Sequence, residues 1–336
     1  MSDAARTPWP ALTALLERAD SRGIEHHGLA PVAARLQPSR RTEFDRSVRA
    51  AAVANASAIV LLRKVRECCD GPLLVIKGPE VAKLYPGTAR RFSDVDLLSP
   101  QADQVQAELQ GSGFTFSPTG DERPHHLHTL RWPTLALDLE VHRRVNWPIF
   151  LEPPATDAIL AGAVPSQTGV EGVLAPNPIH HSLILAAHSW KARPLSSLRD
   201  LLDIALVSAE ADRRDLDRTA AAWGIPRIWR ATAAAIDATF FGARQGMAQR
   251  LIGRHLNDLR EETTLESHAT AWLSSFWSMS TSRALEVSAA VVYREVRRRP
   301  GETWQGKLGR SLGAFRGRSK PLSEYMETSW QPSDDE

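Results

Sequence analysis

Cysteine is almost missing from this chain: there are two, Cys68 and Cys69, and they are adjacent. Neighbouring cysteines rarely bridge each other, and no Cys-x-x-Cys pair exists. A disulfide scaffold and a cysteine zinc site are thereby excluded, and a reducing cytoplasm is the expected compartment. No uninterrupted apolar run approaches the roughly 20 residues of a membrane helix, so no membrane partner is expected. Met1-Ser2-Asp3 opens without the basic stretch and apolar run of a signal peptide. Charge of one sign is not in excess either: the net is +2, which gives no global drive toward nucleic acid or membrane. There is no internal repeat and no long low-complexity segment. What is present is ordinary for a globular protein, with 43% hydrophobic and 24% charged residues among 336. That length holds two domains or one elaborated domain, with a core that needs no disulfide or structural metal.

Residues 1–70 read as helical. Leu12, Leu15, Leu16 and Ala19 fall at helical spacing before Gly23, and Val48, Ala52, Ile59, Leu62 and Val65 mark a longer helix from Glu43 to Cys69. These helices are expected to pack on the domain that follows. The character changes at Gly71-Pro72. Leu73-Leu74-Val75-Ile76 has the continuous apolar run of a buried strand, and Lys77-Gly78-Pro79-Glu80 is a helix entry, with proline at the first position and an acid at the positive end of the dipole. Pro86-Gly87 stops that helix. A second strand covers Val95–Leu98, and a helix is expected over 101–112. In a third strand Leu135, Leu137, Leu139 and Val141 alternate with Ala136, Asp138, Glu140 and His142, so an acidic face backs a greasy one. The expected domains are an N-terminal helical segment 1–70, a core 71–150, a proline- and glycine-rich linker 151–176, a helical domain 177–320 ending in a basic stretch, and a disordered polar tail 321–336.

Asp94-Val95-Asp96 is the chemical centre. On a strand, residues two apart point the same way, so both carboxylates face one side. Two acids that close repel unless a cation lies between them. An oxygen-only donor set suits Mg2+ or Mn2+, which take carboxylates together with phosphate oxygens. A third carboxylate from the acidic strand, Glu140 or Asp138, would complete a two-metal clamp. Lys77-Gly78, at a strand–turn–helix junction, suits a phosphate, with backbone N–H groups and a lysine charge at its mouth. Arg90 and Arg91 lie just before the aspartates, where they can reach the same triphosphate.

Taken together, Ile76-Lys77-Gly78, Tyr85-Pro86, Arg91-Phe92-Ser93-Asp94-Val95-Asp96-Leu97-Leu98 and Glu140-Val141-His142 resemble the uncharacterised bacterial nucleotidyltransferase family of the polymerase-β superfamily. Its histidine-bearing helix and Leu-Arg…Asp stretch are similar to His181–His188 and Leu198-Arg199 through Asp203. The resemblance covers roughly residues 70–210. It implies an α+β fold: a small mixed β-sheet nucleotidyltransferase core flanked by an N-terminal helical segment and a C-terminal helical domain, binding an NTP, ATP among them, and Mg2+ or Mn2+. The implied reaction is transfer of NMP to an acceptor, whether small molecule, protein or RNA, with release of pyrophosphate. Asp94, Asp96 and Glu140 are the implied metal ligands, and Lys77, Gly78 and Arg91 the nucleotide contacts. The chain departs from the wider superfamily in having Lys77-Gly78-Pro79 at the phosphate turn, a longer Gly78-to-Asp94 spacing, and a glutamate at position 140 where aspartate is more common.

Other residues admit two readings each. His125, His126 and His128 lack clean zinc spacing and suit a loop or acceptor site. His142 either contacts substrate or hydrogen-bonds a ligand carboxylate. His181 and His188, seven apart, share a helix face and suit packing. Lys191, Arg199 and Asp203 either line the nucleotide cleft or form a salt-bridged surface. The basic run Arg294–Lys320, with Trp304 and Phe315 interleaved, is either an RNA contact or a solvated helix and tail. It also supports the alternative of a non-catalytic nucleotide- or nucleic-acid-binding module.

Overall fold

The alternation around Leu137–His142 is realised as one strand of a seven-stranded mixed sheet in the computed structural model, which describes residues 7–309 except 119–120, 149, 299–300 and 302. Four helices come first: α1 (Trp9–Arg18), α2 (Ser21–His26), α3 (Ala30–Leu36) and α4 (Asp45–Cys68). Next are β1 (Leu73–Val75), α5 (Pro79–Ala82), β2 (Asp94–Leu98), α6 (Ala102–Gly111), β3 (Thr115–Phe116), β4 (Leu130–Arg131) and β5 (Asp138–His142). Then come α7 (Thr156–Ala161), β6 (Val164–Pro165) and β7 (Val173–Ala175). The C-terminal region is helical: α8 (Pro178–Ala192), α9 (Leu198–Ser208), α10 (Arg213–Ala222), α11 (Pro226–Phe240), α12 (Met247–Ile252), α13 (His255–Asp258), α14 (Thr264–Leu273), α15 (Ser275–Ser278) and α16 (Thr281–Val296). The class is α+β, as the resemblance implies. No helix among the described residues is long and apolar enough to cross a membrane.

The strand order is β3-β4-β5-β2-β1-β7-β6, with β2–β5 and β1–β7 parallel and the other pairs antiparallel. Period two divides the two faces of the central strands. Val75, Val95, Leu97, Leu139 and Val141 join Ala58, Leu61, Leu62 and Val65 of α4 and Val105 and Leu109 of α6 in one core. Leu74, Ile76 and Leu98 join a larger core with Leu183 of α8, Leu202 of α9 and Trp229 of α11. Asp94 and Asp96 alternate with Val95 and Leu97, so they share the second face with Leu98.

Two parts of the chain carry more than the expected organisation describes. Segment 151–176 is not a bare linker: it holds α7 and two strands, and β7 pairs in parallel with β1 beside the middle of the sheet. Three residues are too few to show a period, and Gly169 and Gly172, both at positive φ, flank the turn that returns β6 to β7. The N-terminal helices also divide their allegiance. α4 covers the sheet, whereas Leu12, Leu16, Ile24 and Leu29 of the preceding segment join the core of the C-terminal helices. His27 fastens them there: its Nδ1 accepts from the Leu198 amide (3.2 Å) and its Nε2–H donates to the Arg260 carbonyl (2.9 Å). The expected tail 321–336 and residues 310–320 of the basic stretch lie outside the described residues.

Candidate active site

The register of β2 on β5 builds the site. Asp94 stands opposite Asp138, Asp96 opposite Glu140 and Leu98 opposite His142. Four acids therefore lie on adjacent strands with the same facing. One is neutralised: Arg131 of β4 donates to Asp138 Oδ1 from Nε (2.9 Å) and Nη2 (2.8 Å). Asp94, Asp96 and Glu140 remain. Between the last two lies His142, its Nε2 3.0 Å from Asp96 Oδ1 and 3.4 Å from Glu140 Oε2. Candidate ligand atoms of Asp96, Glu140 and His142 all lie within 4.8 Å of one another.

The electrostatics are those of an acid cluster seeking a cation. Burial, followed by the charges of Asp96 and Glu140, pushes Asp94 up to about 6 against the opposing pull of Lys77. Burial acts the same way on Asp96, but the hydrogen bond from His142 and the charge of Lys77 outweigh it and hold this carboxyl well below its ordinary range. For His142 burial opposes protonation, yet the hydrogen bonds to Asp96 and Glu140 prevail and raise it to about 9. An imidazolium thus occupies the gap between two carboxylates, while its buried Nδ1 has no hydrogen-bond partner. Asp96, Glu140 and His142 are thus a candidate metal-binding group, in which a metal ion would take over the positive charge that the imidazole supplies between the carboxylates.

The turn after β1 is pressed against the acids. Gly78 has φ +56°, and a Cβ there would stand 2.9 Å from the Asp94 carbonyl oxygen, so only glycine lets α5 start beside β2. Lys77 Nζ lies 2.6 Å from His188 Nε2 on α8. His181, two turns earlier on the same helix, donates from Nε2 to the Ile76 carbonyl (3.0 Å). Glu80 is buried, accepting from the Ser166 hydroxyl and the Gln167 amide, and so ties α5 to the β6–β7 turn.

The remaining expected residues divide. Arg90 rather than Arg91 is buried: it donates to Asp203 Oδ1 from Nε (2.8 Å) and to Oδ2 from Nη2 (2.6 Å), while the Tyr85 hydroxyl donates to Oδ1 (2.7 Å). Asp203, 2% exposed, thus fastens the Tyr85–Arg90 segment to α9 instead of facing a cleft. Arg91 is exposed. Lys191, half-buried near the end of α8, is close enough for its charge to lower His125 and His188. His125 and His126 pack beside His142, with ring centroids 5.7 and 5.3 Å from it. His128 lies apart, paired with Glu122. Asn146, 3.3 Å from His188, had no signal in the sequence beyond its polarity.

A family model described as uncharacterised nucleotidyltransferase matches residues 5–241. The chain belongs to that family. No curated protein and no solved structure matches it. The matched span runs from the N-terminal helices to the end of α11, taking in the acidic strands, the Lys77-Gly78 turn and the Arg90–Asp203 pair.

Proposed function

We propose that this nucleotidyltransferase moves NMP from an NTP to an acceptor hydroxyl and releases pyrophosphate, with Asp94, Asp96 and Glu140 as the carboxylates that hold one or two Mg2+ or Mn2+ ions. The observation that carries this reading is the convergence of those carboxylates on one sheet face beside the Lys77-Gly78 turn. A divalent cation there would supply charge neutralisation, polarised phosphoryl oxygens and a more acidic acceptor hydroxyl. Lys77 contributes a point charge to the phosphates, and exposed Arg91 adds a second from the rim. His142 holds the side chains of Asp96 and Glu140 in register. Arg90 and Asp203 keep the segment before β2 fixed, and Lys191 closes the α8 side. Positioning and charge neutralisation suffice for this chemistry, so no nucleophilic side chain is required.

The acceptor is a small molecule, a protein side chain or an RNA end. Of the basic stretch, Arg298 and Lys307 flank the ring of Trp304 at 5.0 and 5.3 Å. That pairing is compatible with an anionic acceptor and equally with a solvated surface. The test is purified full-length protein with Mg2+, each labelled NTP and cell extract, beside a variant carrying Asp94→Asn and Asp96→Asn. Label transfer by the wild type alone, together with lost Mn2+ binding in the variant by electron paramagnetic resonance, is expected. Equal Mn2+ and nucleotide binding by both proteins would overturn the metal assignment.

A further inference from the structure

The lysine of the phosphate turn does not stand alone. Lys77 Nζ is 2.6 Å from His188 Nε2, and the other ring nitrogen of His188, Nδ1, is 3.3 Å from the Asn146 side-chain amide. An ammonium can only donate, so Nε2 of His188 must accept. Burial, reinforced by the Lys77 charge, holds His188 well below its ordinary range, so the ring is neutral and its single proton is on Nδ1. That N–H needs an acceptor. Asn146 Oδ1 is buried and without a partner while its Nδ2 faces the ring. Turning the terminal amide through half a rotation satisfies both groups at once: the orphaned oxygen receives the Nδ1–H.

We infer that Asn146 and His188 are positioning residues for Lys77, forming a one-way hydrogen-bond chain in which Lys77 donates to His188 Nε2 and His188 Nδ1–H donates to Asn146 Oδ1. The direction is fixed at the lysine end by a donor-only ammonium, and it agrees at the other with an amide oxygen that, before the half rotation, has no partner among the described residues. The chain anchors a flexible four-carbon side chain to α8 and to the segment after β5, so the charge is held beside Asp94 and Asp96 before any phosphate arrives. The significance for catalysis rests on the proposed role of Lys77 at the triphosphate; the hydrogen-bond chain itself does not.

Two measurements separate these. In full-length protein with 15N-labelled histidine, the His188 imidazole is expected to show a protonated Nδ1 and an unprotonated Nε2, the reverse of the tautomer that free histidine prefers. A protonated Nε2 overturns the chain. Binding of ATP with Mg2+ is then compared across variants by calorimetry. His188→Leu and Asn146→Leu should each weaken binding about tenfold, and His188→Gln, which keeps an acceptor for the ammonium, should recover most of it. Neither loss should add to that of Lys77→Met. If His188→Leu weakens binding equally in the Lys77→Met background, the positioning role is wrong. If Lys77→Met binds ATP as the wild type does, the phosphate reading of Lys77 fails, and the tautomer still decides the chain.

Discussion

The buried Arg90–Asp203 pair offers the sharpest test of how the sheet is joined to the helical region. Asp203 receives three hydrogen bonds, from Arg90 Nε, Arg90 Nη2 and the Tyr85 hydroxyl, at 2.6–2.8 Å. Arg90 is only 4% exposed, so removing its counter-charge leaves a guanidinium in the core with no water to replace the lost partner. Breaking such a pair from one side costs about 3–5 kcal/mol. Asp203→Leu and Arg90→Met are each expected to destabilise the protein by that amount, and Tyr85→Phe by about 1.5–3 kcal/mol, the worth of a hydrogen bond to a charged group. The double variant Arg90→Met with Asp203→Leu removes both charges together. It should be less destabilised than the sum of the singles by about 2 kcal/mol or more. Urea unfolding followed by tryptophan fluorescence measures all four, since Trp229 is in the core that α9 joins. Singles within about 0.5 kcal/mol of wild type, or strictly additive effects, would refute the clamp.

Three further outcomes are expected. Gly78→Ala forces a Cβ to within 2.9 Å of the Asp94 carbonyl at a positive φ; it should cost about 1–3 kcal/mol and sharply reduce nucleotide transfer, and a variant with normal stability by thermal melting would show that the turn is not pressed on β2. Asp94→Asn should stabilise the metal-free protein at pH 8 by about 1–3 kcal/mol, because a carboxyl raised from 3.8 to about 6 carries a penalty that is absent below pH 4 and complete by about pH 7; calorimetry in chelator that finds the variant less stable at pH 8 would contradict the acid crowding. Burial lowers His27 and His255 to about 4, so unfolding binds protons between the folded and unfolded values and stability falls as pH drops from about 6.5 toward 4. The loss should be about 2 kcal/mol per histidine at pH 5. His27→Gln should flatten that acid limb in a pH series of urea melts, and an unchanged limb would remove His27 from the account.

Much of the site was legible because strand periodicity is strict. Asp94 and Asp96 had to share a face, and the alternation through Val141 had to put Glu140 and His142 on one side. Only pairing partners could show that Glu140 meets Asp96 while Asp138 is spent on Arg131, since the register between strands 40 residues apart is not written locally. Arg90 and Arg91 are indistinguishable by spacing; what separates them is that Arg90 meets Asp203, 113 positions away on α9. The strands of segment 151–176 were too short to carry a period, and β7 is a strand because β1 offers it an edge. His188 was visible only as a helix-face residue. Its partnership with Lys77 spans 111 positions and arises from the fold.

The docking of α1–α3 has a consequence for how the chain comes into being. His27 finds its partners at Leu198 and Arg260, and Arg22 at Glu261, so α1–α3, although α3 already packs on α4, complete their docking only once residues 198–261 have been made. Part of their apolar surface stays uncovered until then, and the contacts that cover it are among the most distant in the sequence. Separating the first 70 residues from the rest would therefore orphan two surfaces rather than liberate a module, and the helical region would be expected to aggregate without its opening segment.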